Sequence, residues 1–312
     1  MSKTIAIVGA TGLQGHSVLK TLYASNEYRI RALSRNIDSD RVKALAAQYP
    51  DVEWAEADID NIESLRKAFD SVDIVFGMTD FGSSVISRMR NGEVEVEYAQ
   101  GKNIVDAAID AGVKTLIFSV LDSLAKQSNG KYPGATQFES KYKVGQYLLS
   151  KSDVIDGFTI CLGCYMDNFI RAARISPDDE QTVEFRFPYK PTNKVPLVDT
   201  VNDTGPVVKY ILDHPDETRG AYQDVSGGFY EMQEMVQAFT EVTGKPARYV
   251  QIADEEIPIK EVIQMFNCLE EFGPFCNRTA FLERNKQMEH KFTTPVDYWK
   301  NSKWTGPVKQ AH

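Results

Sequence analysis

The chain has 312 residues, 42% of them hydrophobic and 25% charged, and a formal charge of −9. That length can bury a full α/β core, the mix is that of an ordinary globular protein, and no apolar run is long enough to span a bilayer. Basic residues nowhere form more than a short cluster, which argues against direct nucleic-acid binding, since that depends on Lys and Arg neutralising phosphates.

The opening Met1-Ser2-Lys3-Thr4 runs straight into an apolar stretch, Ile5-Ala6-Ile7-Val8. With no room for a signal peptide, the expected location is the cytoplasm, with a nuclear pool allowed. Gly9-Ala10-Thr11-Gly12-Leu13-Gln14-Gly15 follows, and then a helical spacing at Val18, Leu19, Leu22 and Tyr23. Strand, glycine turn and helix in that order make a dinucleotide site: glycines admit the pyrophosphate to the backbone N–H groups at the positive end of the helix. Cofactor contacts are therefore expected at Gly9, Thr11, Gly12, Leu13, Gln14 and Gly15.

Tyr28–Leu33 reads as the second strand and ends in Ser34-Arg35-Asn36. An NAD site usually carries an acid about 20 residues after the glycines, to hold the ribose 2′-OH. Here Ser34 and Arg35 occupy that place. A carboxylate would repel a 2′-phosphate, whereas a guanidinium can hold it bidentately. The cofactor is expected to be NADP(H), with Arg35 as the discriminator.

Further strand and helix patterns alternate: strands at 52–57, 72–77, 115–119 and 158–162, helices at 62–69, 93–111 and 136–150. Short connections and nearly all-apolar strands predict a doubly wound parallel sheet, a Rossmann-type α/β fold, over residues 1–164. Beyond Cys164 the rhythm changes. A strand at 183–187, helices at 203–212 and 229–244 (Gly244 as C-cap), a strand at 247–252 and a helix at 253–272 predict a smaller α+β lobe over 165–312, discontinuous in space. Thr279–His312 carries Phe281, Phe292, Tyr298, Trp299 and Trp304, which either pack back on the body or form a partner-binding edge.

The Cys161-x-x-Cys164 spacing raises a redox or zinc role. Against it, Cys161 lies inside the apolar run 158–162, no second close pair exists, and His16, His214, His290 and His312 are scattered. No metal is expected.

The chain resembles the NmrA-like family, atypical members of the short-chain dehydrogenase/reductase superfamily. The resemblance spans residues 3–300 and is carried by the Gly9–Gly15 loop, Leu33-Ser34-Arg35, Gln137-Phe138-Glu139-Ser140-Lys141 and Val195-Pro196-Leu197-Val198-Asp199 with Asp203-Thr204-Gly205-Pro206. The last segment is similar to the HSCARG-type branch. That resemblance implies NADPH binding and a change of conformation and protein partner with the NADPH/NADP ratio. Other members are implied to be fungal nitrogen-metabolite regulators, or reductases of aromatic ethers, ketones or quinones.

Reductases of the superfamily use a Tyr-x-x-x-Lys pair, whose i, i+4 spacing places both side chains on one helix face. Lys lowers the phenol pKa, and Tyr donates the proton. Lys141 fills the Lys position, but Gln137 stands where the Tyr belongs, and an amide is no useful acid. Lys141 is expected to hold the nicotinamide ribose hydroxyls or, if desolvated, to donate the proton itself. Tyr142 points about 100° away around the helix. Tyr165, in Cys164-Tyr165-Met166-Asp167-Asn168 where substrate loops gather, is the spare acid, with packing as its alternative role; Asn168 joins it as a cofactor contact.

Ligands of such sheets sit at the carboxyl ends of the strands. That rule places Asp58 and Ile59 by the adenine, Met78 and Thr79 on the ribose–pyrophosphate path, and Ser119 near the nicotinamide, each with a purely structural role as the alternative. Two functions follow. One is an NADPH sensor acting through a regulatory protein partner, with the stretches after Asn36 and Thr79 as its moving parts. The other is an NADPH-dependent reductase of a small carbonyl, quinone or aromatic substrate, built on Lys141 and an aromatic-rich second lobe. A monomer and a homodimer both fit the sequence.

Overall fold

The computed structural model describes residues 2–257 and 259–308; His312 and the end of the Thr279–His312 stretch lie outside the described residues. Its strands, in chain order, are β1 Thr4–Ile7, β2 Arg29–Ser34, β3 Glu53–Glu56, β4 Ile74–Gly77, β5 Thr115–Val120, β6 Asp156–Leu162, β7 Cys164–Tyr165, β8 Ala173–Ile175, β9 Val183–Phe187, β10 Lys194–Val198, β11 Tyr222–Val225, β12 Gly228–Glu231 and β13 Ala247–Gln251. The chain divides into two compact units: Met1–Ser123 with Thr136–Cys161 and Thr204–Gln223, and Leu124–Ala135 with Leu162–Asp203 and Asp224–His312.

A seven-stranded sheet has the order β11-β6-β5-β4-β1-β2-β3. Pairing is parallel from β6 through to β3, in registers such as Ile5↔Ile74, Ile7↔Ala32 and Phe76↔Ile117. Successive residues of a strand point to opposite faces, yet Ile5, Ala6 and Ile7, like Val75 and Phe76, are fully buried. Both faces are therefore covered, as a parallel sheet requires. One face packs Ala6, Val75, Leu116 and Phe118 against Leu65, Ile104, Val105, Val144 and Leu148 of the helices Ile62–Ala68, Val96–Asp110 and Thr136–Leu149. This is the doubly wound Rossmann-type arrangement expected from the sequence. Gly205 of helix Thr200–Asp213 approaches helix Leu13–Ser25 closely: its N–H donates to Ser17 Oγ at 2.8 Å, and a Cβ there would stand 2.2 Å from the Ser17 carbonyl oxygen.

The other unit carries two three-stranded sheets, β12-β10-β7 and β13-β9-β8. Phe169, Phe185, Phe187, Phe239 and Trp299 fill its core. Trp299, 1% exposed, lies on helix Pro295–Ser302; its Nε1–H donates to the Met235 carbonyl at 2.8 Å, and Trp304 stacks on it. Of the C-terminal aromatics, Phe281, Tyr298 and Trp299 are buried, and Phe292 and Trp304 are half-buried.

Several element boundaries differ from the sequence expectation, for local reasons. Residues 228–231 form β12, and the helix starts at Met232, where Glu231 and Glu234 make a reciprocal capping box. The helix expected from 203 starts at Thr200, because the Asp199 carboxylate accepts from the N–H groups of Val201 and Asn202. The expected helix 253–272 is a turn of 3₁₀ helix at Asp254–Glu256 and an α-helix at Lys260–Phe272. Between them Ile257, which precedes a proline in the sequence, is extended at φ −90°, ψ 117°. The stretch after Asn36 contains helix Asp40–Gln48, capped by Ser39 Oγ, and the one after Thr79 contains helix Ser83–Arg90, so the helix expected from 93 begins at Val96.

Candidate functional site

The loop between β1 and helix Leu13–Ser25 is shaped by its glycines. Gly9 has φ +68°, the left-handed region that favours glycine, and its carbonyl accepts the Gly12 N–H at 2.9 Å. A Cβ on Gly15 would stand 2.3 Å from the Gly9 carbonyl oxygen, so any side chain there would push the helix off the strand. The helix has no side-chain cap at Gly12 and no acid in its first turn. Its first N–H groups and the positive end of its dipole are left for an anion. Gly12 is exposed, Thr11 and Leu13 are half-buried, and Gln14 is buried. Met78, at the end of β4, closes one side of the loop, its Sδ 3.2 Å from where a Gly9 Cβ would stand.

Beside this loop lies the end of β2. Ser34 Oγ accepts from the Asn36 N–H at 3.2 Å and donates to the Asn36 carbonyl at 3.1 Å. The resulting turn leaves Arg35 exposed and without an ion-pair partner among the described residues. A second guanidinium arrives from the next helix: Arg41 Nε donates to the Thr11 carbonyl at 3.3 Å. Two arginines thus flank the loop, a charge distribution suited to a phosphate monoester. Sequence reading stopped at Asn36 and missed Arg41; a basic residue opening the helix after β2 was the available signal.

Asp58 and Ile59 follow β3 in a tied turn. Asp58 N–H donates to Ser64 Oγ at 2.9 Å, its carboxylate accepts from the Asp60 N–H at 3.0 Å, and the Ile59 carbonyl accepts from Asn103 Nδ2 at 3.0 Å. Ser119, at the end of β5, is 4% exposed.

The structure brings Lys141 and Thr79 together around a third group absent from the sequence-based site, Glu97. Lys141 Nζ donates to Thr79 Oγ1 at 3.1 Å, to the Thr79 carbonyl at 3.3 Å and to Glu97 Oε1. Thr79 Oγ1 donates to the same Glu97 oxygen at 2.9 Å. An ammonium has three N–H donors, and here all find protein acceptors. Thr79 is 3% and Glu97 1% exposed. Burial pushes the Lys141 amine down to about 7, with Asp80 pulling the other way. Gln137 is also buried, at 8% exposure. Glu97 shares a helix face with Gly101, Ile104 and Ala108; a carboxylate on that apolar stripe was the signal that could have found it.

Tyr165 and Asn168 belong to the other unit. Tyr165 pairs with Val198 where β7 meets β10, and Asn168 Nδ2 lies 3.9 Å from Cys164 Sγ. Burial pushes the Cys164 thiol up to about 11, so it holds little thiolate at neutral pH. Cys161 and Cys164 are not disulfide-bonded. Among the described residues, no group of three or more His, Cys, Asp or Glu side chains is placed to hold a metal ion, and no helix is long and apolar enough to cross a membrane.

A family model described as "NmrA-like family" matches residues 1–300. The chain belongs to the NmrA-like family. Among its relatives is an NmrA-like family domain-containing oxidoreductase, FrzB, of a Cladobotryum species, 31% identical over 80% of this chain and 76% of its own. Solved structures share the NmrA-like fold. NmrA, a negative transcriptional regulator in complex with NADP, superposes with a TM-score of 0.77 at 21% identity, covering 95% of this chain and 94% of its own. A Citrobacter triphenylmethane reductase complexed with NADP(H) gives 0.70 at 20% identity, covering 96% and 99%. A regulator and a reductase thus stand side by side among the neighbours of this NmrA-like chain.

Proposed function

We propose that this NmrA-like protein binds NADP(H) and acts as a redox sensor, reporting cofactor occupancy through a change of conformation or protein partner. The site fits the cofactor: the Gly9–Gly15 loop and the uncapped helix end would hold the pyrophosphate, and Arg35 with Arg41 the 2′-phosphate. Asp58 and Ile59 would flank the adenine, Met78 and Thr79 the path to the second ribose, and Ser119 and Lys141 the nicotinamide side. Bound there, the cofactor supplies a hydride.

One observation carries the choice of sensor. The position of the usual acid holds buried Gln137, and the lysine one turn on has all its N–H donors taken by Thr79 and Glu97. Neither group is free to protonate a substrate oxygen as the protein stands. A sensor needs only differential affinity of the ligand for two states.

A second reading is an NADPH-dependent reductase of a small carbonyl, quinone or aromatic substrate. It is favoured by the lowered Lys141 pKa, which suits a proton donor near neutrality, and by relatives named as oxidoreductases. NADPH fluorescence at fixed protein separates the readings. A rise on binding that persists through a carbonyl and quinone panel, with an altered protease-digestion pattern, supports the sensor. Decay with one substrate class, lost in Lys141→Met and compared with Tyr165→Phe, establishes the reductase.

A further inference from the structure

Lys141 sits at 13% side-chain exposure among groups of three residues. Thr79 offers its hydroxyl and carbonyl from the end of β4, Glu97 offers a carboxylate from helix Val96–Asp110, and Asp80 acts on it from a greater distance. Burial alone strips a proton from an amine, because the charged form loses its hydration. A carboxylate in contact does the reverse, and its effect is largest where water is excluded. Glu97 therefore opposes the burial that depresses Lys141.

The two oxygens of Glu97 are used unequally. Oε1 accepts from both Lys141 Nζ and Thr79 Oγ1, while Oε2 is buried with no hydrogen-bond partner among the described residues. A carboxylate serving only to cement helix packing would be expected to have both oxygens satisfied. Glu97 instead concentrates its contacts on the oxygen that faces the amine.

We propose that Glu97 is the positioning residue for Lys141: it pins Nζ on Thr79 and sets how much of the amine is protonated at neutral pH. The inference rests on the reading of Lys141 as the functional amine. In the sensor, Glu97 then fixes the charge beside the bound cofactor; in the reductase, it sets the supply of the transferred proton. Glu97 itself touches no substrate in either case.

The test is a direct titration of Lys141 in the full chain, by lysine-selective ¹³C and ¹⁵N labelling and NMR, with the resonance assigned by its loss in Lys141→Arg. The wild-type midpoint is compared with Glu97→Gln, which keeps shape and removes charge, and Glu97→Asp, which keeps charge and draws it back. The expected result is a fall of about one unit or more in Glu97→Gln and a smaller fall in Glu97→Asp. Coincident titrations of wild type and Glu97→Gln overturn the proposal. Should circular dichroism show Glu97→Gln unfolded, Glu97→Asp decides: a lower midpoint supports the role, and an unchanged one overturns it. NADPH titration of the same wild-type sample separates the two claims, since failure to bind cofactor defeats the proposed function and leaves the Lys141 midpoints standing.

Discussion

Arg41 Nε donates to the Thr11 carbonyl at 3.3 Å, tying the helix after β2 to the glycine loop after β1. Arg41 is otherwise exposed, as is Arg35, which directly follows β2. Two cations at one loop edge favour a ligand that carries a phosphate there over one that carries a bare hydroxyl. Arg35→Glu is therefore expected to abolish NADPH binding and to leave NADH binding nearly unchanged. Arg41→Ala should weaken NADPH by about 1.5–3 kcal/mol, roughly ten- to a hundredfold in Kd. Calorimetric titration of both nucleotides checks this, and equal losses for NADH and NADPH would remove the arginines from cofactor selection.

Gly15 gives a sharper steric case. Its missing Cβ lies 2.3 Å from the Gly9 carbonyl oxygen and 2.9 Å from the Ala10 Cα, both backbone atoms that cannot rotate away. Gly15→Ala should displace the start of helix Leu13–Ser25, cost about 1–3 kcal/mol or more, and abolish cofactor binding. Thermal unfolding and NADPH fluorescence on one preparation measure both effects. A variant as stable as wild type with intact binding would show that the loop relaxes freely.

The buried Lys141–Glu97 pair makes non-additive demands on stability. Lys141→Met leaves a carboxylate at 1% exposure without its cation, and removing one partner of a buried pair costs about 3–5 kcal/mol. Replacing both, as Glu97→Leu with Lys141→Met, exchanges the pair for apolar groups of similar volume. That double variant is expected to be more stable than Lys141→Met alone. Urea denaturation of wild type, both singles and the double gives the coupling energy. Simple additivity would mean that the two side chains do not depend on each other.

Features fixed by short-range backbone chemistry were legible in the sequence. The Gly9–Gly15 loop, the apolar run of each strand and Gly244 as a C-cap at φ +70° each depend on residues adjacent in the chain. What escaped notice was the partner brought from afar. Glu97 meets Lys141 across 44 residues, and Arg41 meets Thr11 across 30; no local pattern encodes either meeting. Helix starts were misplaced where a side chain outside the apolar stripe sets the boundary, as Asp199 and Glu231 do. Tyr165, singled out for its place just past β6, lies in β7, paired with Val198.

The lowered Lys141 amine carries a pH dependence whose sign follows from linkage. The folded chain holds this proton with a midpoint of about 7, against 10.5 for an ordinary lysine. Above both values neither state carries the proton, and the group has no effect on stability. As pH falls below 10.5 the unfolded chain takes up the proton while the folded chain does not, so stability declines. Below about 7 the folded chain protonates as well, and the penalty stops growing. Stability therefore rises with pH between about 7 and 10.5, with a slope from this group of at most about 1.4 kcal/mol per unit. Urea denaturation from pH 6 to 10, read as wild type minus the Glu97→Leu, Lys141→Met double variant, separates the pair from the titrating groups that both chains share. An upward slope starting near 7 is expected. A flat difference would mean that Lys141 keeps its proton throughout that range, and a slope starting below 6 would mean that it is discharged even more completely.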